Sequence, residues 1–191
     1  MPSSPRERRP SGRSFDQKAP DLAVYMTRVG VIADTHLGDT GEATAFLLHI
    51  AEQHFQKVDM VLHAGDIVAP DVLAAFAPCP VHAVRGNMDP AAPGLPWKRI
   101  LEIESCRIGL MHGWGQREGL AERVRNEFLD AALDCLVFGH SHVPVCQWLG
   151  GMLLFNPGSA TDRRGMPYAS VGVLEIDDRK ISGRIVPLDE A

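Results

Sequence analysis

The chain has 191 residues, 45% of them hydrophobic and 23% charged, which excludes a wholly disordered or fibrous protein and predicts one globular domain. No apolar run approaches the ~18 residues of a membrane-spanning helix, so we do not expect a membrane protein. The net charge of -5, from 19 basic and 24 acidic residues, argues against nucleic acid as a partner.

The first residues differ in composition from the rest of the chain. Residues 1–20 are rich in Pro, Ser and Arg and carry five basic side chains against two acidic ones. We therefore expect a disordered basic tail over residues 1–22 and one domain over residues 23–191. An electrostatic tether to an acidic partner or to nucleic acid is the alternative interpretation. No apolar stretch follows the arginines, so the segment does not resemble a secretory signal.

Strand and helix patterns alternate in the first half of the chain, which is typical of an α/β fold with parallel strands. A strand over residues 26–33 precedes a helix over 41–56, in which apolar residues recur at helical spacing. A second strand over 58–63, a short helix over Pro70–Phe76 with proline in its first turn, and a third strand over 81–84 follow.

Short strands dominate the second half, where we expect antiparallel or mixed pairing. The pattern predicts strands over 99–104 and 107–111, a helix over 119–129, a strand over Cys135–Phe138, and closing strands over 143–149, 152–155, 170–176 and Lys180–Pro187. Gly150 and Gly151 predict a hairpin between the first two closing strands. Two mixed sheets packed together and flanked by helices fit both halves.

The four cysteines are widely spaced and form no Cys-x-x-Cys pair, which argues against a disulfide framework. We expect Cys79, Cys106, Cys135 and Cys146 to be reduced and mostly buried, as is usual in the cytoplasm. We therefore predict a cytoplasmic protein.

Seven side chains that can bind a metal follow the predicted strands: Asp34, His36, Asp66, Asn87, His112, His140 and His142. Ligands of open α/β sheets bind beyond the carboxyl ends of the strands, so we expect these residues to converge. Two Asp, one Asn and four His suit Mn, Fe, Zn, Co or Ni better than Ca or Mg. Seven ligands are too many for one ion and suit two. A strand-end Asp or His alone is more often structural, but five such elements in order favour the metal site.

The motifs in question are Asp34-x-His36, Gly65-Asp66, Gly86-Asn87, His112-Gly113 and Gly139-His140-Ser141-His142. Together they resemble the calcineurin-like metallophosphoesterase superfamily, and Asn156-Pro157-Gly158-Ser159 resembles its small YfcE-like phosphodiesterase branch. The resemblance implies an α/β fold, a four-layer α/β/β/α sandwich of two mixed sheets flanked by helices. It also implies two divalent ions, with manganese the first expectation, and attack on the phosphodiester by a metal-bridging hydroxide.

The resemblance further implies which residues bind each ion. One ion would be held by Asp34, His36, Asp66 and His142. The other would be held by Asp66, Asn87, His112 and His140, so that Asp66 bridges the two.

One position departs from the superfamily pattern. Many members have histidine after the Gly-Asn pair, where this chain has Met88, and a thioether cannot donate a proton. General acid catalysis is worth ~10²–10⁴ in rate, so we expect good leaving groups to be favoured and alkyl monoesters to react slowly. The next residue, Asp89, either orients a water or ligand or caps the turn before Pro90.

Three residues are candidates for substrate binding. Asn87 is one, and Arg163 and Arg164 either clamp phosphate bidentately or form a solvated loop pair. We expect His63 to be a core or supporting residue rather than a ligand.

These inferences predict a phosphodiesterase acting on a small organic phosphate. A phosphomonoesterase or nucleotide pyrophosphohydrolase on the same site is the first alternative. A protein-interaction scaffold of the same fold is an alternative of another class, because the retromer scaffold subunit shares this fold with a degraded metal site. Related small enzymes are often oligomeric, so a homo-oligomer is a further expectation, and we expect no membrane partner.

Overall fold

Two five-stranded β-sheets packed face to face form the centre of the molecule. The computed structural model describes residues 26–188, so the basic tail predicted for residues 1–22 lies outside the described residues. The strands are β1 (Thr27–Ile32), β2 (Met60–His63), β3 (Val81–Ala83), β4 (Lys98–Ile103), β5 (Cys106–Met111), β6 (Cys135–Phe138), β7 (Val145–Leu149), β8 (Met152–Asn156), β9 (Ser170–Asp177) and β10 (Lys180–Pro187). The helices are α1 (Gly41–His54), a 3₁₀ helix (Pro70–Phe76) and α2 (Leu120–Asn126).

Each sheet combines parallel and antiparallel strands. The first sheet has the order β10-β9-β1-β2-β3, in which β1, β2 and β3 are parallel and β9 and β10 run antiparallel. The second has the order β4-β5-β6-β8-β7, in which β5, β6 and β8 are parallel. The parallel strands of both sheets therefore bring their carboxyl ends to common edges.

The core is divided into three apolar layers. The central layer lies between the sheets and includes Val31 and Leu62 from the first sheet and Leu110 and Val137 from the second. A second layer packs α1 and the 3₁₀ helix on the outer face of the first sheet, and a third packs α2 on the second sheet. The predicted α/β/β/α sandwich is therefore confirmed.

The ring of Phe155 packs against glycines of the first sheet. It is fully buried, and a Cβ at Gly172 would lie 2.4 Å from its Cζ atom. Glycine in β9 thus leaves the room that this large side chain from β8 needs.

The predicted elements are all present, with shifted ends. The helix predicted over 119–129 ends at Asn126, because the amides of Glu127 and Phe128 bond to carbonyls three residues back, which tightens the last turn. The short helix over Pro70–Phe76 has 3₁₀ geometry. The hairpin predicted at Gly150 and Gly151 joins β7 to β8.

Within residues 26–188, no helix is long and apolar enough to cross a membrane. All four cysteines are free thiols, as predicted. Cys106 and Cys135 are buried and Cys79 is half-buried. The expected burial is wrong for Cys146, which is exposed because β7 is an edge strand.

Candidate metal centre

The seven side chains predicted to bind metal lie together at the carboxyl ends of strands from both sheets. Asp34 and His36 follow β1, Asp66 follows β2 and Asn87 follows β3. The remaining members come from the second sheet, where His112 follows β5 and His140 and His142 follow β6. We call these seven residues the donor cluster.

One half of the donor cluster contains Asp34, His36 and His142. The Nε2 atoms of His36 and His142 are 3.3 Å apart, and their rings stack with centroids 5.2 Å apart. The Nε2 atom of His142 also lies 3.5 Å from Oδ1 of Asp34. One potential ligand atom from each of the three falls within 4.8 Å of the others, which is compact enough for a single ion.

The other half contains Asn87, His112 and His140. Oδ1 of Asn87 lies 3.2 Å from Nε2 of His112 and 3.1 Å from Nδ1 of His140. These two ring nitrogens are 3.3 Å apart. Asp66 stands between the halves, since its Oδ2 atom is 3.4 Å from Nε2 of His112 and 4.0 Å from Nε2 of His36.

The histidine tautomers are set by backbone carbonyls behind the rings. Nδ1–H of His112 donates to the Ala64 carbonyl at 2.7 Å, and Nε2–H of His140 donates to the Gly115 carbonyl at 2.8 Å. Nδ1–H of His142 donates to the carbonyl of Asp162. Because a carbonyl only accepts, the opposite nitrogen of each neutral ring carries a lone pair that faces the donor cluster.

Lone pairs and carboxylate oxygens that face one another repel unless a cation lies between them. Metal–ligand bonds of ~2.0–2.2 Å place neighbouring donors about 3.0–3.5 Å apart, close to the separations in both halves. A mixed set of imidazole nitrogens and carboxylate or amide oxygens suits divalent transition metals. The residues present therefore fit a metal centre.

The two carboxylates have opposite electrostatic environments. Asp34 is completely buried, and this burial raises its pKa to about 7, against the attraction of His112. Burial also acts to raise the pKa of Asp66, but without metal a proton on Nε2 of His112, whose pKa Asp66 raises against the effect of burial, supplies a hydrogen bond and a charge that outweigh it and bring the pKa of Asp66 to about 2. Burial lowers the pKa values of His140 and His142, which favours the neutral rings that ligate metals.

The backbone of the donor cluster is unusual. Five of its seven residues have left-handed φ angles: Asp34 (52°), His36 (48°), Asp66 (55°), His140 (68°) and His142 (59°). Residues other than glycine rarely adopt this conformation, although Asp and His tolerate it better than most. Such strain is typical of functional sites, where the surrounding structure holds the backbone in place.

A glycine allows the loop after β3 to lie against Asp66. A Cβ atom at Gly86 would be 2.0 Å from Oδ1 of Asp66, which no side chain could accommodate without movement. In the observed structure, Oδ1 accepts a hydrogen bond of 2.8 Å from the amide of Met88. This bond turns Oδ2 toward the histidines.

The carboxylate of Asp89 is occupied by the backbone. Its Oδ1 accepts from the amides of Ile67 (2.7 Å) and Val68 (2.6 Å), and its Oδ2 accepts from the amide of Gly86 (2.7 Å). Asp89 therefore clamps the loop that carries Asp66 to the loop that carries Asn87. This geometry favours the turn-capping interpretation over a direct role in orienting water or ligand.

His63 contacts residues that support the donor cluster and is not one of its members. It is fully buried, and burial lowers its pKa to about 3. Its Nδ1 accepts from the amide of Gly65 at 3.2 Å, so Nε2 carries the hydrogen and donates to Oγ1 of Thr35 at 3.1 Å. These contacts place His63 in the supporting role predicted from the sequence.

Sequence reasoning did not assign the supporting role of the loop after β8. Asn156 donates from Nδ2 to the Gly139 carbonyl at 2.9 Å, which fastens the loop of the two histidines. Ser159 donates from Oγ to the Asp34 carbonyl at 2.7 Å. The Asn-Pro-Gly-Ser sequence marks this loop, but from the sequence it indicated only a resemblance to a branch of the family and not the supporting role.

A cavity of about 300 Å³ opens over the donor cluster. Its lining comprises His36, Asp66, Asn87, Met88, His140, Asp162 and Arg164. The two arginines predicted to bind substrate have different positions. Arg164 lines the cavity. Arg163 does not, and its Nη1 donates to the Pro167 carbonyl at 3.0 Å. A larger cavity of about 520 Å³ beside β4 contains no member of the donor cluster.

The chain is similar to known proteins in sequence and in fold. The model of the calcineurin-like phosphoesterase superfamily domain matches residues 27–179, which include the whole donor cluster. A probable metallophosphoesterase of Methanothermobacter thermautotrophicus is 39% identical over 161 residues, 83% of this chain and 91% of that protein. Phosphodiesterase YfcE of Escherichia coli K12 is 36% identical over 107 residues, 51% of this chain and 53% of YfcE. The solved structure of wild-type Vps29 complexed with zinc, from Entamoeba histolytica, is 29% identical, covers 84% of this chain and 99% of its own, and has a TM-score of 0.60.

Proposed function

Because this chain belongs to the calcineurin-like phosphoesterase superfamily and is a metal-dependent phosphoesterase, we propose that it hydrolyses a small organic phosphodiester with two divalent metal ions. The observation that carries this proposal is the division of the donor cluster into two halves, with Oδ2 of Asp66 facing a histidine of each at 3.4 and 4.0 Å. The similarity to phosphodiesterase YfcE supports the choice of a diester.

The proposal assigns four residues to each ion. One ion would be held by Asp34, His36, Asp66 and His142, and the other by Asp66, Asn87, His112 and His140. Such a pair of ions would supply a water nucleophile of lowered pKa and neutralise charge on the phosphoryl oxygens. Manganese is our first choice, and Fe, Zn, Ni and Co suit the same donors.

The chain's own residues bind and orient the substrate. Oδ1 of Asn87 faces the two ring nitrogens of its half, so its Nδ2 amide group is left as a donor toward a phosphoryl oxygen. Asn87 and Arg164 both line the cavity, and we assign the substrate contacts to these two residues.

Position 88 has no side chain that can protonate a leaving group, so the site should favour substrates with good leaving groups. Met88 lines the cavity and is 57% exposed, and its thioether has no proton to give to a leaving oxygen. The ring N–H groups of His112, His140 and His142 are occupied by backbone carbonyls. Esters whose leaving alcohol is already acidic should therefore react fastest, and alkyl monoesters slowest.

The test compares two reporter substrates side by side. Chelator-stripped protein is assayed with and without Mn²⁺ on bis-p-nitrophenyl phosphate and on p-nitrophenyl phosphate. Asn87→Ala and His112→Ala variants exclude contaminating activity. Metal-dependent cleavage that prefers the diester supports the proposal, whereas a preference for the monoester points to a phosphomonoesterase on the same site. Turnover of nucleoside diphosphates in place of either reporter would indicate a pyrophosphohydrolase.

A protein-interaction scaffold is the alternative of another class. The similarity to Vps29 favours it, and because that Vps29 was solved with zinc, bound metal alone does not separate scaffold from enzyme. Turnover separates them, since a scaffold predicts none with any metal. The four free cysteines accord with the cytoplasmic location that we propose, and the partner we propose is a small phosphoester.

A further inference from the structure

Arg164 is a cation at the rim of the cavity that the donor cluster does not use. Its Nε–H donates to Oδ2 of Asp162 at 3.1 Å, and its backbone amide donates to Oδ1 of Asp162 at 3.2 Å. The two side chains are half-exposed, at 50% and 51%. Within residues 26–188, the terminal nitrogens Nη1 and Nη2 of Arg164 make no hydrogen bond and are available to a ligand.

This arrangement is suited to an oxyanion. A guanidinium group presents its N–H donors as a planar fork that matches the two oxygens of a carboxylate or phosphate. Arg164 lines the same cavity as His36 and His140, so the guanidinium stands close to the donor cluster.

The donors in the cavity indicate which oxyanion Arg164 would meet. A phosphodiester carries one negative charge, and the floor of the cavity already offers the Asn87 amide and a donor cluster suited to two divalent ions. Asp162 offsets the charge of Arg164 but binds only Nε–H among its side-chain donors, so Nη1 and Nη2 are donors beyond those that the diester meets on the floor. Asn87 and Arg164 line one cavity of about 300 Å³, so a second acid that meets Arg164 would lie near the scissile phosphodiester.

We propose that Arg164 binds a second acidic group of the substrate, a carboxylate or phosphate located near the scissile phosphodiester, and that Asp162 positions it. This inference rests on the proposed function and specifies its substrate class. Asp162 is the positioning residue because its carboxylate holds Nε and the backbone amide of Arg164. Its own carbonyl accepts from Nδ1 of His142, so the rim arginine and one half of the donor cluster share a support.

The test measures binding of three product-like monoesters to the Mn²⁺-loaded and metal-free full-length protein by isothermal titration calorimetry. Glycerol 3-phosphate has no second acid, 3-phosphoglycerate adds a carboxylate, and glycerol 1,3-bisphosphate adds a phosphate. We expect the wild type to bind at least one of the acidic pair about tenfold or more tightly than glycerol 3-phosphate, the worth of one charge-assisted hydrogen bond. The ligand that binds more tightly than glycerol 3-phosphate shows whether the second acidic group is a carboxylate or a phosphate.

Four variants assign the preference to its residues. Arg164→Gln should reduce the preference for the acidic ligand to less than about twofold. Arg164→Lys, which keeps a point charge, should retain part of the preference. Arg163→Gln, the matched control, should leave it intact because Arg163 does not line the cavity. Asp162→Asn should weaken the preference, and its bound metal is measured by mass spectrometry because Oδ2 of Asp162 also lies 3.6 Å from Nδ1 of His142.

Two outcomes overturn the inference. One is a wild type that binds all three ligands equally. The other is an Arg164→Gln variant that weakens all three by the same factor, because Arg164 would then contact the phosphate that they share. The proposed function fails separately, through absence of bis-p-nitrophenyl phosphate turnover in the wild type, and that result leaves the binding preference to be judged on its own.

Discussion

Replacing Asp89 by asparagine distinguishes a loop clamp from a catalytic carboxylate. The carboxylate accepts three short hydrogen bonds from amides of two loops, between 2.6 and 2.7 Å. In Asp89→Asn, the amide oxygen can keep the bonds from Ile67 and Val68, but the NH₂ group then faces the amide of Gly86. One charge-assisted bond is lost and two donors are opposed, which costs about 2 kcal/mol.

The assay is the thermal unfolding of metal-free protein, followed by circular dichroism. For a chain of this size, about 2 kcal/mol corresponds to a decrease in Tm of about 4–8 °C. Asp89→Ala removes all three acceptors and should lower the Tm further. Asp130→Asn, at an exposed position in the described part of the chain, is the control and should change the Tm by less than about 1 °C.

The same substitution should also weaken metal binding, because Asp89 joins the loops that carry Asp66 and Asn87. An Asp89→Asn variant with wild-type Tm and wild-type metal affinity, but with a much lower kcat, would refute the clamp. That combination would instead place the carboxylate in the reaction.

Three further predictions concern the floor of the cavity. Met88→His introduces a proton donor and should raise kcat/KM for the alkyl monoester glycerol 3-phosphate relative to p-nitrophenyl phosphate about tenfold or more; an unchanged ratio would contradict the leaving-group argument. Gly86→Ala places a Cβ 2.0 Å from Oδ1 of Asp66, so the purified variant should contain less metal than wild type at equal loading, and full metal content would show that the loop can move. Burial raises the pKa of Asp34 to about 7 and lowers that of His63 to about 3, so in metal-free protein the two act in opposite directions between about pH 4 and 7: as the pH rises, Asp34 contributes a loss of stability and His63 a gain. Asp34→Asn removes the loss, so the stability of the variant relative to wild type should increase from pH 4 to 7, and a constant difference would contradict the raised pKa.

The donor cluster could be predicted from the sequence because its signals are local. Each of its residues follows a strand pattern within a few positions, and parallel strands place such positions at one edge. His63 could be placed for the same reason, since it ends β2 and precedes Gly65 and Asp66.

Other features depended on contacts that no local pattern contains. The amides that bind Asp89 include two that are 21 and 22 residues distant in sequence. Arg163 and Arg164 are adjacent and chemically identical, yet only Arg164 has a left-handed φ, of 40°, and only Arg164 lines the cavity. The direction of a loop side chain depends on such backbone conformations, which two neighbouring arginines do not encode in their identity.

The left-handed backbone of the donor cluster also affects how such a chain could lose its activity. Each of the five strained residues costs of order 1 kcal/mol, and glycine or asparagine would relieve part of that strain. Mutations that abolish metal binding at these positions can therefore stabilise the metal-free fold, which is the usual conflict between stability and function. Without selection for catalysis, such substitutions would accumulate and give a more stable fold that binds no metal. The surface around the former cavity could then evolve to bind other proteins.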